Sequence, residues 1–242
     1  MKENQVFIIK DRYVVKKAEK NILKAEKYFI ENNKKIKTPQ ILYYNEEQGY
    51  IVYEYIRGDI IHEINNVDNC LLCIYNIINN YEKIKIDGCG SIFNLKDNWI
   101  SFVKDEFERQ SIYINDNILK KEIIQQIEVL SKYNIQKRLI HGDLGGFNII
   151  CKNGKIQGII DPRCLIGDPI YDFIYFIFSS YNIAKKIDYK SIFYILKNEP
   201  KEKVLALMHI LLYDRIAREN KNNTIYKSEY YNILNNLKKI ML

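Results

Sequence analysis

Three observations predict an α+β, two-lobed molecule. Short apolar runs of strand character crowd the first 56 residues. Long helical spacings take over after Gly58, and one compact β section interrupts them at about 138–162. A small β-rich part followed by a larger helical part with an embedded hairpin is the α+β pattern.

The elements follow in order. VFII and RYVVKK flank Lys10-Asp11 and predict a hairpin. NILKAEKYFIENN has helical spacing, with Ile22, Ala25, Phe29 and Ile30 on one side. QILYY and GYIVYEYI read as strands around the polar turn Asn45-Glu46-Glu47. Helices are expected at 68–84, 97–111 and 117–134. In the β section, FNIIC and KIQGIID are joined by Lys152-Asn153-Gly154, and Asn-Gly between apolar runs is the strongest short hairpin signal. From about 170 to 242 the pattern is helical again.

Bulk properties narrow the function classes. With 242 residues, 47% hydrophobic and 28% charged, the chain reads as globular and long enough to bury a core. No apolar stretch approaches the roughly 20 residues that span a bilayer, so no membrane association is expected. MKENQVFII is too polar for a secretory signal, which points to a cytoplasmic protein. The cysteines, Cys70, Cys73, Cys89, Cys151 and Cys164, are odd in number and scattered, as suits a reducing compartment. Cys70 and Cys73 form a CxxC without a second pair, and read as small apolar residues near the start of a helix. The net charge of +7 is spread along the chain without a basic block, so nucleic acid is not an expected partner.

The chemistry concentrates in LIHGDLGGFNIICKNGKIQGIIDP, residues 139–162. Phosphoryl transfer needs a carboxylate to orient the attacking hydroxyl and accept its proton, and oxygen ligands for magnesium. Asp143 and Asn148 are five residues apart, and the Asn-Gly hairpin can return Asp161 beside Asn148.

HGDLGGFN resembles the catalytic loop of the aminoglycoside phosphotransferase group, which includes choline, fructosamine and homoserine kinase-like enzymes and has the protein-kinase-like fold. IIDPRCLIGDPIYD resembles the same group's metal-binding strand end and the GDP–x–x–D element beyond it, here Asp168 and Asp172. The resemblance implies Asp143 as catalytic base, Asn148 and Asp161 as magnesium ligands, and His141 as a brace for the loop. RYVVKK resembles the strand that presents the phosphate-binding lysine. Val14 and Lys16 share a face, which favours Lys16 over Lys17, with Glu26 rather than Glu19 as the carboxylate that holds it. IVYEYIRG resembles the hinge between lobes. Backbone groups of Glu54, Tyr55 and Ile56 would meet the adenine edge, and Tyr53 would line the back of the pocket. The implied division is a nucleotide-binding lobe at 1–56 and a catalytic, substrate-binding lobe at 57–242.

One departure stands out. The group has a strand, a phosphate-covering turn and a second strand before the lysine strand. Here about fifteen residues precede Lys16, and no glycine occurs before Gly49. The phosphate cover is missing, shortened or replaced.

The implied function is Mg²⁺-dependent transfer of the γ-phosphate of ATP or GTP to a hydroxyl of a small molecule. Nucleotide binding without turnover is the competing possibility. Asp172, Tyr171, Asp214, Arg215, Tyr230 and Tyr231 are candidates to reach the acceptor. Aminoglycosides are polycations and call for carboxylates. The acidic cluster nearest the site is Asp105, Glu106 and Glu108, so a neutral sugar, an amino alcohol or another metabolite stays open.

Overall fold

The N-terminal hairpin forms where its sequence pattern places it. In the computed structural model, which describes residues 5–63 and 66–240, β1 (Gln5–Ile9) pairs antiparallel with β2 (Tyr13–Lys17), Phe7 opposite Val15. Residues 1–4 and 241–242, the two ends of the expected lobes and part of MKENQVFII, lie outside the described residues. Lys10 and Asp11 both adopt left-handed φ, 50° and 49°, and Arg12 N–H donates to Ile9 C=O at 3.0 Å. Primed turns of this kind match the twist of paired strands. After α1 (Lys20–Asn32), β3 (Ile41–Asn45) and β4 (Tyr50–Glu54) complete a four-stranded sheet of order β1-β2-β4-β3.

The inner side of α1 is Leu23, Ala25, Glu26, Phe29 and Ile30. Ile22, expected among them, is 37% exposed. It shares that face but sits in the first turn, where the helix overhangs a cleft instead of the core.

The larger part begins with β5 (Asp59–Ile60), α2 (Val67–Asn79), β6 (Cys89–Ser91), β7 (Asn94–Lys96), α3 (Trp99–Ser111) and α4 (Asn117–Leu130). Next come β8 (Arg138–Ile140), a 3-10 turn at Gly146–Asn148, β9 (Ile149–Lys152), β10 (Lys155–Ile159) and β11 (Leu165–Gly167). α5 (Pro169–Phe178), α6 (Tyr181–Ala184), α7 (Tyr189–Ile195), α8 (Lys201–Asn222) and α9 (Lys227–Ile240) close the chain. Asn66, Asn98 and Asp116 cap α2, α3 and α4 by accepting from backbone N–H groups of their first turns. This is the usual use of Asn and Asp at helix starts. Cys70 and Cys73 do fall near the start of α2, both half-buried.

The structure departs from expectation in its short strands. One embedded hairpin was predicted after Gly58. Two further sheets are present, of order β10-β9-β5 and β7-β6-β11-β8. The extra strands are two or three residues long, too short to show an alternating pattern. α2 also stops at Asn79 rather than near 84, because Tyr81 leaves the helical path to pack in the core, 1% exposed.

α5 is the axis of the larger part, with Phe173, Ile174, Phe176 and Ile177 fully buried. α8 runs beside α4, α5 and α9. Trp99, at the start of α3, lies flat over Gly167, where a Cβ would come 2.2 Å from Trp99 Cζ3. Only glycine admits that approach. Among the described residues no helix is long and apolar enough to cross a membrane.

Candidate active site

The segment between β8 and β9, His141 to Asn148, is held from below by α5. Asp168 caps that helix by accepting from Ile170 N–H, Pro169 opens it, and Asp172 lies in its first turn. From there Asp172 reaches back to the loop. Its Oδ2 accepts from His141 N–H at 2.8 Å and from the Tyr81 hydroxyl at 2.7 Å, and its Oδ1 accepts from Gly142 N–H at 2.9 Å. Burial pushes this carboxyl up to about 7, against the pull of those three donors. The GDP–x–x–D element is therefore a clamp on the loop.

His141 is completely buried and bonded at both ring nitrogens. Nε2–H donates to Ile160 C=O at 2.9 Å, and Nδ1 accepts from Asp143 N–H at 3.2 Å. Burial holds the imidazole down to about 4, so it is neutral at physiological pH. Gly146 closes the loop against the segment before α2. Ile61 N–H donates to Gly146 C=O at 3.0 Å, and a Cβ at 146 would sit 2.3 Å from the Ile61 oxygen.

The loop presents Asp143 and Asn148 together. Asn148 Nδ2 donates to Asp143 C=O at 2.8 Å and to Asp143 Oδ2 at 3.2 Å. Asp161 follows β10 with φ 58°, a left-handed conformation that Asp tolerates better than most residues. The hairpin turn behind it, Asn153-Gly154, has φ 52° and 71°. Lys16 comes down from β2, 4% exposed, between two carboxylates: Glu26 Oε2 at 2.8 Å and Asp161 Oδ1. Burial works against its charge, but Glu26 and Asp161 outweigh burial and raise its pKa. Lys17 points to solvent, and Glu19 is exposed at the start of α1.

Asn148 and Asp161 fit magnesium. The amide nitrogen of Asn148 is used up by Asp143, which leaves its oxygen as the available atom. Asp161 has a second carboxylate oxygen beyond the one that meets Lys16. An amide oxygen and a carboxylate oxygen are hard ligands of the kind magnesium takes.

Two clefts meet here. One, of about 280 Å³, is lined by Lys16, Glu26, Tyr53, Asn148 and Asp161, by Glu54 to Ile56, and by Val6, Ile8 and Val14 as a roof. The other, of about 490 Å³, holds Asp143, Asp161, Arg163 and Phe93. Asp161 borders both. In the first cleft, the backbone of residues 54–56 is partly committed. Glu54 N–H donates to Gln40 C=O and Tyr55 N–H to Arg12 C=O, both at 2.9 Å. Of residues 54–56, whose backbone groups were the expected contacts, Ile56 alone has an N–H without a backbone acceptor among the described residues. One strand, β1, precedes the lysine strand among the described residues, and its turn contains no glycine.

The candidate acceptor residues are elsewhere. Asp172 faces the loop. Tyr171 is buried against Trp99, with ring centroids 5.4 Å apart. Asp214 is bound to Arg218 at 2.8 Å, and Arg215 to Glu219 at 2.6 Å. Tyr230 is buried with its hydroxyl on Phe178 C=O. None of these lines the cleft with Asp143, nor does Tyr231. The acidic cluster is largely neutralised: Asp105 pairs with Lys96, and Glu106 with both Arg109 and Arg163.

Tyr175 escaped the sequence reading. Its hydroxyl donates to Asp143 Oδ1, so Asp143 is gripped from both sides, by Tyr175 and by Asn148. The signal was available: Tyr175 is three residues after Asp172 on α5, hence on the same helix face. Pro39 in the first cleft and Arg163 and Phe93 in the second were also missed.

The model of the phosphotransferase enzyme family matches residues 101–188, which contain Asp143, Asn148, Asp161 and the Asp172 clamp. No curated protein matches the sequence. Among solved structures, aminoglycoside phosphotransferase APH(4)-Ia is similar with a TM-score of 0.67 at 15% identity, covering 97% of this chain and 88% of that one. A GDP complex of aminoglycoside 2'-phosphotransferase-IIIa has a TM-score of 0.63 at 16% identity, covering 99% and 90%. Choline kinase LicA from Streptococcus pneumoniae has a TM-score of 0.65 at 15% identity, covering 97% and 88%. The chain thus has the protein-kinase-like fold of the aminoglycoside phosphotransferases and choline kinase, and its residues 101–188 match the model of the phosphotransferase enzyme family.

Proposed function

We propose that this protein transfers the γ-phosphoryl group of ATP or GTP to a hydroxyl of a small molecule. The observation that carries the proposal is the border position of Asp161. It joins a cleft containing Lys16, Asn148 and the hinge to a cleft containing Asp143. A donor in the first and an acceptor in the second would meet between Asp143 and Asp161.

In this scheme residues 5–56 hold the nucleotide. The Ile56 N–H meets the base, and Tyr53 lines the back of the pocket. Lys16, oriented by Glu26, lies against the phosphates. Asn148 and Asp161 hold Mg²⁺, which when bound supplies positive charge to the phosphate oxygens. Asp143, fixed by Tyr175 and Asn148, orients the acceptor hydroxyl and takes its proton. The bond from that oxygen to Pγ forms as the bond from Pγ to the β–γ bridging oxygen breaks, and nucleoside diphosphate leaves. Tight positioning of this sort supplies most of the catalysis in phosphoryl transfer.

Two variants test the roles. Asp143→Asn should lower turnover by about 10²–10⁴-fold, the usual general-base contribution, with Mg-nucleotide affinity nearly unchanged. Asp161→Asn should lose metal-dependent nucleotide binding together with turnover. Titration of ATP and GTP with and without Mg²⁺ reads both, and failure of the wild type to bind either nucleotide would sink the proposal.

A further inference from the structure

We infer that the acceptor carries an oxyanion group, a carboxylate or a phosphate ester, that docks on Arg163. This rests on the phosphotransfer reading and names the substrate class for it. Apart from Asp143 and Asp161, Arg163 is the charged side chain lining the acceptor cleft among the described residues. It follows Asp161 by two residues, so the strand end that presents the one presents the other. Its side chain is 32% exposed. Among the described residues its hydrogen bond runs from Nη2 to Glu106 Oε1 at 3.0 Å, which holds the guanidinium in place and leaves its other N–H donors uncommitted.

The charge balance points the same way. Glu106 shares that oxygen with Arg109, so the trio of Arg163, Arg109 and Glu106 has one positive charge in excess. Asn21, Ser91 and Asn94 add neutral polar groups to the cleft, and Phe93, 48% exposed, adds an apolar wall. A polycation would find no uncommitted carboxylate there beyond those assigned to the phosphoryl transfer itself. A hydroxylated acceptor with an oxyanion at one end would place that end on a preoriented fork, the geometry at which arginine excels. Its hydroxyl would then face Asp143 and its body Phe93.

The test is a nucleotide-consumption screen with hydroxy-carboxylates and sugar phosphates, each paired with an uncharged counterpart, and with kanamycin. Thermal-shift binding is read in parallel for wild type, Arg163→Gln and Arg163→Lys. Oxyanion acceptors should be preferred to their counterparts and to kanamycin, and the carboxylate and phosphate arms show which oxyanion is used. Arg163→Gln should raise the acceptor KM by about ten- to a hundred-fold, as expected for a charge-assisted pair, with Mg-nucleotide affinity unmoved. Arg163→Lys should recover part of the loss, which excludes a folding defect as its cause. Preference for kanamycin, equal use of charged and uncharged partners, or an unchanged KM in Arg163→Gln would overturn the inference. So would a panel with neither consumption nor Arg163-dependent binding. Absence of nucleotide binding in the wild type would instead overturn the phosphotransfer reading beneath it.

Discussion

Acidification should loosen the loop that carries Asp143 through one residue, His141. The ring is completely buried, its Nε2–H spent on Ile160 and its Nδ1 occupied by the Asp143 N–H. A second ring proton at Nδ1 would face that N–H head on. The unfolded chain binds this proton near the ordinary value of 6.5, whereas the folded chain resists it to about 4. The unfolded state therefore holds more protons between those limits, and stability must fall as pH drops through them. Two and a half pH units at about 1.4 kcal/mol each give about 3 kcal/mol. Other carboxylates titrate in the same window, so the comparison has to be a difference. His141→Gln cannot titrate, and its constant loss of packing and hydrogen bonds cancels across pH. Urea unfolding of wild type and variant at pH 7.5, 6.5, 5.5 and 4.5 should show the gap narrowing by about 1.4 kcal/mol per unit below pH 6.5. A gap that stays constant from pH 7.5 to 4.5 would refute the argument.

Other outcomes follow from neighbouring geometry. Asp172 has the opposite sign: its folded value, about 7, exceeds the ordinary 3.8, so its contribution is fully present at low pH and is lost as pH rises through 7. The stability gap between wild type and Asp172→Asn should therefore widen as pH falls from 7 towards 4 in the same urea series. Lys16→Ala should cost about 3–5 kcal/mol, because it strands the buried Glu26, and should weaken nucleotide binding. Lys17→Ala, on the solvent face, should stay within about 0.5 kcal/mol, and equal effects of the two would show that the facing of β2 is wrong. Gly146→Ala should destabilise by about 1–3 kcal/mol and lower turnover, since its methyl group would strike the Ile61 carbonyl. Gly145→Ala, 3.1 Å from the Ser179 Cβ, should be milder in a thermal melt of the pair.

Much of this was legible because the chemistry is contiguous. HGDLGGFN and the Asn153-Gly154 turn carry Asp143, Asn148 and Asp161 within one short stretch, where local turn chemistry alone dictates their meeting. Lys16 over Lys17 was readable from the two-residue period of β2, and Glu26 from its place among apolar neighbours on α1. Ile22 was misread because periodicity gives a side chain's angle around a helix but not where the helix overhangs its support. The strands β6, β7 and β11 were invisible, being shorter than the pattern that would reveal them. Tyr175, Arg163 and Phe93 reach the site from α5, the segment after Asp161 and the β6–β7 turn. Residues 54–56 show the same gap in finer detail. The Glu54 and Tyr55 N–H groups are consumed by Gln40 and Arg12, partners that pairing of the strands supplies and local sequence does not announce.

The Asp172 clamp also bears on how the chain reaches its native form. It ties Tyr81, His141 and Gly142 to α5, joining positions 91, 31 and 30 residues apart. The hairpins β1–β2 and β3–β4 close through short turns and are expected to form first, since nearby contacts lose less chain entropy on closure. During that interval the hairpins would expose apolar side chains, and on β1 Val6, Phe7 and Ile8 are more than half exposed even in the finished protein. Assembly of the loop is expected to be the later event. The chain's single tryptophan, Trp99, is wedged between Gly167 and Tyr171 at the foot of α5, so its fluorescence on refolding should report when the clamp closes. The appearance of nucleotide binding should keep pace with that signal.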